Sequence, residues 1–466
     1  MQRRCSDGFG AALLRIFSVL MRLSSLSSVL MSFVLLGCTR NDPPRAEPVT
    51  PPKLSAARPS ASAKSAPAPS PKSTNAAQPQ TDSVPPRYAF DRVHSALTPS
   101  IVQGLRKIAA RDAALRPDVF AKVGDSITFS DDSYRCLAKP NRNLAEHSAL
   151  APVIARFAGK PAYGTNPYSR DSLTAQIGWS AWQVLSGDPP PLAKELKAIQ
   201  PRIALVQFGT NDIEIGAIFH FADQLWNIVD YLVERGVVPV LFTIPPRKDK
   251  ASAAVWAPRY NTVIRGVAQA RRVPLVDYHL ALRALPGGGM ARDGIHPTTF
   301  HGARGRDACD FSKDGLRHGY NLRNLLAVQA LERVDAALRT GTAPDTAGRA
   351  AAPDTSTLPL VDVARLAGGG GDQDGYSCAG AESAPGKEAI YAFELAEPSH
   401  VHIMAFDRGA QVQLYLLRDP KPSSCQRTHA RVIKTRLAAG RHYLVLDRQQ
   451  EKAPASESIV VITKEE

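Results

Sequence analysis

The chain has 466 residues, 44% hydrophobic and 21% charged, with 57 basic residues against 43 acidic for a net charge of +14. That composition buries real cores and excludes a chain disordered throughout, a collagen and a coiled coil. The positive excess is spread thinly, +3 over residues 1–38, +4 over 39–88 and +7 over the other 378, without a basic run or an aromatic-interleaved strand from residue 89 onward, so nothing points to nucleic acid.

Residues 1–37 read as an export signal. Arg3, Arg4, Arg15 and Arg22 precede an apolar stretch from Leu23 to Gly37 that is too short to span a bilayer. Leu35-Leu36-Gly37-Cys38 resembles the bacterial lipobox, which implies cleavage after Gly37 and lipidation of Cys38. Starts at Met1 and at Met21 both lead to this Cys. Two acyl chains suffice for firm anchoring. Thr39 in place of Asp after the Cys implies the outer membrane in a Gram-negative lipoprotein. The expectation is a lipid-anchored, extracytoplasmic protein; the alternative is an ordinary signal peptide that contains a Cys.

Residues 38–88 form a tether. The stretch 39–88 holds 12 of the 37 prolines, mixed with Ala, Ser, Thr and Lys, and cannot bury a core. From 89 to 340 short apolar runs alternate with helical patterns. Strands are expected at Val119–Val123, Ile203–Phe208, Val237–Thr243 and Val273–Asp277, and helices at 192–199, 216–235, 256–271 and 319–339. This alternation predicts a parallel sheet covered on both faces, with reactive residues on the loops after the strands. A linker at 341–360 leads to a block at 361–466. Six short strands there, at 388–395, 400–406, 411–418, 430–437, 442–447 and 458–463, predict a small β-sandwich. Its rhythm and the stretch LAAGRHYLVLD resemble the bacterial pre-peptidase C-terminal type of domain.

Apart from Cys5 and the lipobox Cys38 four cysteines remain, Cys136, Cys309, Cys378 and Cys425, which allow three pairings in an oxidising compartment. One pair per folded block is the simplest, so Cys136–Cys309 and Cys378–Cys425 are expected. Their spacing suits no zinc knuckle, and neither metal nor cofactor is implied.

Three short elements carry chemistry. Gly124-Asp125-Ser126 places a hydroxyl at a strand exit, and a serine needs a base to become a nucleophile. Gly209-Thr210-Asn211-Asp212 offers donors suited to a developing oxyanion. Asp293-Gly294-Ile295-His296 sets a carboxylate three residues before a His, able to hold Nδ1–H and leave Nε2 for the serine. Alone, each is an ordinary turn; their order and their setting after strands give them force. His301 and His318 lack an acid three residues upstream, and Asp125 and Asp212 are expected to brace their own turns. No G-x-S-x-G elbow is present. The segment Asp372-Gln373-Asp374-Gly375 hints at a calcium loop but lacks a third acid and a terminal Glu, and reads as a Gly-rich loop.

In this order the three elements resemble blocks I, III and V of the SGNH (GDSL-type) hydrolases, over about residues 115–340. The resemblance implies esterase or lipase activity on a flavodoxin-like, doubly wound α/β sheet. It implies Ser126 as nucleophile, Asp293 and His296 as its partners, and an oxyanion hole from the Ser126 N–H, Asn211 and a block II glycine. Gly178 fits that glycine, with Gly164 as fallback. Tyr168, Trp179, Trp182, Phe219 and Trp256 lie in or beside candidate loops as an acyl or sugar platform, or else as core packing, the expectation for Trp182 and Trp226.

The expected function is ester hydrolysis through an acyl-enzyme on short-chain esters, with O-acetyl groups on glycans favoured over lipid esters. The expected partners are the ester substrate and the membrane. The competing class is a non-catalytic surface lipoprotein that binds glycan through its β-sandwich.

Overall fold

Strands that are buried on both faces need near-continuous apolar sequence, and IALVQ at 203–207 and VPVLF at 238–242 supply it. They form the centre of the sheet in the computed structural model, which describes residues 87–465 apart from Lys160, Arg304, 346–357, 367–372, Asp374, 379–385, 409–410 and 450–455. The signal, Cys38, nearly all of the tether, most of the linker, and Asp372 and Asp374 lie outside the described residues.

The first block runs α1 (Pro99–Ala109), β1 (Arg116–Gly124), α2 (Ser126–Phe129), α3 (Ala151–Ala158), α4 (Pro191–Ile199), β2 (Pro201–Gln207), α5 (Asp212–Ile215), α6 (Ile218–Glu234), β3 (Val238–Phe242), α7 (Ala251–Arg271), β4 (Leu275–Val276), α8 (Tyr278–Arg283), a small hairpin of β5 (His301–Gly302) and β6 (Gly305–Arg306), and α9 (Gly319–Thr340). Strands β1 to β4 are parallel in the order β1-β2-β3-β4. Helices α1, α3 and α9 cover one face, and α4, α6 and α7 the other. The amphipathic α1 shows why: Ile101, Val102, Leu105 and Ile108 recur at helical spacing and are buried.

Beyond β1, on the side away from β2, the sheet continues as one parallel rung between Gly124 and Ala175. The Thr174 carbonyl accepts from Gly124 N–H at 2.9 Å. Side chains take over where further rungs are missing. Ser172 Oγ and Thr174 Oγ1 both donate to the Lys122 carbonyl, at 2.7 and 2.8 Å. A buried pair, Arg170 Nε and Nη2 to Glu195 at 2.8 and 2.7 Å, anchors the segment to α4. The chain therefore moves to opposite sides of β1 before and after this rung, the doubly wound arrangement, with its crevice at the carboxyl end of β1.

The second block is a sandwich of eight strands: β7 (Leu360–Leu366), β8 (Glu388–Leu395), β9 (Ser399–Arg408), β10 (Val412–Leu417), β11 (Cys425–His429), β12 (Val432–Leu437), β13 (Gly440–Arg448) and β14 (Ser456–Lys464). Its sheets run β11-β10-β13-β8 and β12-β9-β14-β7, all antiparallel. Strands β7 and β11 add to the six expected. In β7 the polar Asp362 and Arg365 interrupt the alternation, and β11 is a polar edge strand with little buried surface.

The sandwich sits directly on α6 and α7. Val361, Val363, Met404, Phe406, Ile459 and Val461 join the buried cluster of the first block. Gly266 on α7 lets Ile459 approach so closely that a Cβ would collide with it. Phe219 packs on Phe406 at 4.9 Å and Trp256 meets His402 edge-on at 5.9 Å. Ion pairs Arg271–Glu457, Arg259–Glu465 and Arg408–Asp230 rim the contact. Phe219 and Trp256 therefore belong to this interface rather than to a substrate platform. Tyr168 is core, Trp226 is buried, and Trp182 is 43% exposed, against its expected burial. Among the described residues no helix is long and apolar enough to cross a membrane.

Candidate active site

At the exit of β1 the chain turns at once into α2. Asp125 caps that helix, its Oδ1 accepting from Ile127 N–H at 3.0 Å, and Ser126 takes the first helical position. Ser126 Oγ lies 2.9 Å from His296 Nε2. On the other side of the ring, His296 Nδ1 lies 2.7 Å from Asp293 Oδ2. Asp293 Oδ1 accepts two main-chain bonds, from Ile295 and His296 N–H, each at 3.0 Å. The carboxylate is an acceptor only, so Nδ1 carries the proton and Nε2 accepts from the serine hydroxyl. Burial pushes the Asp293 carboxyl up, but the two N–H groups and the His296 ring outweigh it and hold the group below the usual carboxylate range. His301 lies in the exposed β5–β6 hairpin, and His318 packs against Phe300; neither bonds Ser126.

Asn211 follows β2 by four residues, and its Nδ2 donates to the Trp179 carbonyl at 2.9 Å. An amide has two such protons, so one remains. Gly178, at φ +75°, occupies the exposed turn between the Ala175 rung and Trp179. The Gly178 turn and Asn211 are thus brought together beside the β1 exit. Gly164 lies in a separate exposed turn closed by Ala162 N–H on the Thr165 carbonyl. Asp212 does more than brace its own turn, because its Oδ1 accepts from Ala181 N–H at 3.0 Å and ties the Asn211 loop to the segment after Gly178. Burial raises Asp125 to about 6 and, with the nearby Asp125 adding to it, Asp212 to about 7.

Two arginines that the sequence did not single out hold these loops. Arg247 follows β3, with 2% of its side chain exposed. It donates from Nη1 to the Thr210 carbonyl at 2.5 Å, from Nη2 to Glu214 at 2.5 Å, and from Nε and Nη2 to Asp249, each at 2.7 Å. The next residue, Lys248, donates its N–H to the Gly294 carbonyl at 2.8 Å. Gly294 has φ +69°, and a Cβ there would strike the Asp249 backbone. Arg323 on α9 is fully buried under the site, donating to Gln207 Oε1, Ser133 Oγ and Thr128 Oγ1, each at 2.9 Å.

Cys136 and Cys309 are joined, with their Cα atoms 5.6 Å apart, and Cys378 pairs with Cys425. Both pairings are those expected. Buried Asn324 binds the same two segments without covalent help, its Nδ2 donating to the Asp132 and Ala308 carbonyls at 2.8 and 3.1 Å. Among the described residues no group of three or more His, Cys, Asp or Glu is placed to hold a metal ion.

No curated protein matches the chain. Among solved structures, a GDSL-like lipase from Bacteroides thetaiotaomicron is 16% identical, with 50% of this chain and 98% of that chain covered at a TM-score of 0.31. An acetylxylan esterase from Geobacillus stearothermophilus is 14% identical over 46% of this chain and 93% of that one, at 0.30. The pre-peptidase C-terminal domain of a Bacillus anthracis collagenase is 12% identical over 23% and 90%, at 0.18. Residues 123–300 match the model of the GDSL-like lipase/acylhydrolase family. That match runs from the end of β1 through the Asp293–His296 turn and so takes in all three motifs of the α/β block.

Proposed function

We propose that the protein is an extracytoplasmic serine esterase that cleaves short-chain esters through an acyl-enzyme, with O-acetyl groups on glycans as its substrate class. The observation that carries the reading is the hydrogen-bonded chain Ser126–His296–Asp293, at 2.9 and 2.7 Å.

In the first step His296 Nε2 takes the Ser126 proton as Oγ bonds to the ester carbonyl carbon, and the carbonyl π pair moves onto oxygen. The Ser126 N–H, the Gly178 N–H and the second Asn211 amide proton stabilise that oxyanion. The N–H of Ser126 suits this role because the first N–H groups of a helix have no acceptor within it. The tetrahedral intermediate collapses as the ester C–O bond breaks, and imidazolium His296 gives its proton to the leaving alcohol. Water then loses a proton to His296 and attacks the acyl carbon, and the proton returns to Ser126 as the acid leaves. Asp293 stays ionised throughout and stabilises the imidazolium.

The test is a series of nitrophenyl esters, from acetyl to long-chain acyl, offered to wild type and Ser126→Ala. Turnover is expected on the short chains alone, falling by roughly a thousandfold or more in the variant. A long-chain optimum would turn the reading to a lipase. A folded protein that neither turns over any ester nor reacts with a fluorophosphonate at Ser126 would favour a binding protein. The lipid anchor at Cys38 has its own test, incorporation of labelled fatty acid that Cys38→Ala abolishes.

A further inference from the structure

From Lys421 to Leu446 the sequence holds six cations, Lys421, Arg427, Arg431, Lys434, Arg436 and Arg441, and no Asp or Glu. Two to six positions separate neighbours, so no run appears along the chain; folding gathers them. Strands β11 and β12 are end strands of the two sheets, and Arg427 Nε joins them by donating to Thr435 Oγ1 at 2.9 Å. On β12 Ile433 and Leu437 are buried, while Lys434 and Arg436 alternate with them and are exposed. Among the described residues no carboxylate pairs with Arg427, Lys434, Arg436 or Arg441; Arg431 has Asp407 at 3.7 Å.

The ribbon also lies in a telling place. The Lys434 ammonium is 5.6 Å from the Trp256 ring centre, and the Arg431 guanidinium is 5.5 Å from that of Phe219. Both rings stand near the N-terminal ends of α7 and α6. Those helices start from the loops after β3 and β2, which carry Arg247 and Asn211. The basic edge therefore borders the same end of the sheet as Ser126.

We propose that the β11–β12 ribbon binds a polyanionic polysaccharide, a uronate-bearing chain, and lays it along the rim so that its ester groups reach Ser126. This deepens the esterase reading and rests on it. Charge complementarity selects the partner class. Among the described residues none of the exposed large hydrophobic side chains lies between 391 and 465, so the ribbon offers neither an apolar wedge for a bilayer nor a ring on which bases stack. Charged edge strands also deter pairing with other chains, but charge of either sign serves that purpose. Reversing the charge separates the two roles.

The test uses the full chain, polygalacturonate as the probe, and Arg427→Glu/Lys434→Glu/Arg436→Glu beside the milder Arg427→Gln/Lys434→Gln/Arg436→Gln. Wild type is expected to bind polygalacturonate at low salt and to lose it as salt rises. The Glu variant should bind at least about tenfold more weakly, a difference of about 1.4 kcal/mol, and the Gln variant should fall between. On chemically acetylated polygalacturonate kcat/KM should drop by the same factor, with nitrophenyl acetate hydrolysis unchanged. No binding by wild type, equal binding by the Glu variant, or tighter binding to phosphatidylglycerol vesicles or single-stranded DNA would overturn the proposal. Absent nitrophenyl acetate turnover in wild type would instead sink the esterase reading and leave the binding result standing.

Discussion

Arg247 Nη1 donates to the Thr210 carbonyl at 2.5 Å, which fixes the backbone one residue before Asn211. Through Lys248 N–H on the Gly294 carbonyl, the same loop also holds the turn between Asp293 and His296. The loop of one buried side chain thus links the Asn211 segment to the Asp293–His296 turn. Arg247→Ala is expected to lower kcat on nitrophenyl acetate by about 10- to 100-fold, roughly 1.4–2.7 kcal/mol of barrier, with little change in KM. Arg247→Lys should recover only part of it, since an ammonium cannot reproduce the guanidinium fork. A lowered Tm with unchanged kcat at 25 °C would reduce the residue to a structural brace.

The Cys136–Cys309 bond closes a loop across 173 residues and joins the segments that follow Ser126 and His296. Its removal by Cys136→Ser/Cys309→Ser should cost about 2–5 kcal/mol of stability. On the proposed mechanism these are the loops of the nucleophile and the base, so mild reductant should lower activity at temperatures where the fold survives. Tm and turnover that ignore the reductant would refute that coupling.

Asp212 is buried, and its burial raises the carboxyl to about 7. The folded state thus holds a proton that the unfolded state releases at ordinary carboxylate pH. Stability from this group is present below that range and is lost as pH rises to about 7. Asp212→Asn keeps an acceptor for Ala181 N–H and removes the titration. Thermal melts across pH 4–8 should decline with rising pH in wild type and decline less in the variant. Parallel curves would mean that Asp212 does not carry the dependence.

Gly266 is where Ile459 of the sandwich meets α7. Gly266→Val overpacks that contact and should cost about 1–3 kcal/mol, read as a lower Tm. Wild type should unfold in one transition, because both blocks share a buried cluster. Two well-separated transitions in wild type would contradict a shared core.

Candidate site residues were legible where their contacts are local. Asp125 caps its own helix two residues on, and Asp293 and His296 are a self-contained pair at i, i+3, whereas Ser126 meets His296 and Asn211 meets Trp179 only through the fold. The parallel sheet and the sandwich followed from apolar periodicity; the strand order did not. Arg247 and Arg323 were illegible because several of their acceptors are a distant main-chain carbonyl or neutral side chains, which leave no charge pattern in sequence. The strand before Gly178 could not be read because it is a single rung. Phe219 and Trp256 misled for a related reason: the surface that covers them comes from strands nearly 150 or more residues away.

That single rung leaves the arm bearing Gly178 and Trp179 held to β1 by Gly124 and two hydroxyls, to α4 by one buried ion pair, and to the Asn211 loop by side-chain bonds. A continuous strand would distribute the load over many amides that no side-chain substitution can edit. Here Ser172 and Thr174 are individually adjustable fasteners. Trimming them to Ala and Val would remove two ties to the Lys122 carbonyl and no rung of the β1–β2 ladder. Under the proposed mechanism, the placement of the Gly178 N–H is therefore adjustable from behind, without touching Ser126, Asn211 or His296.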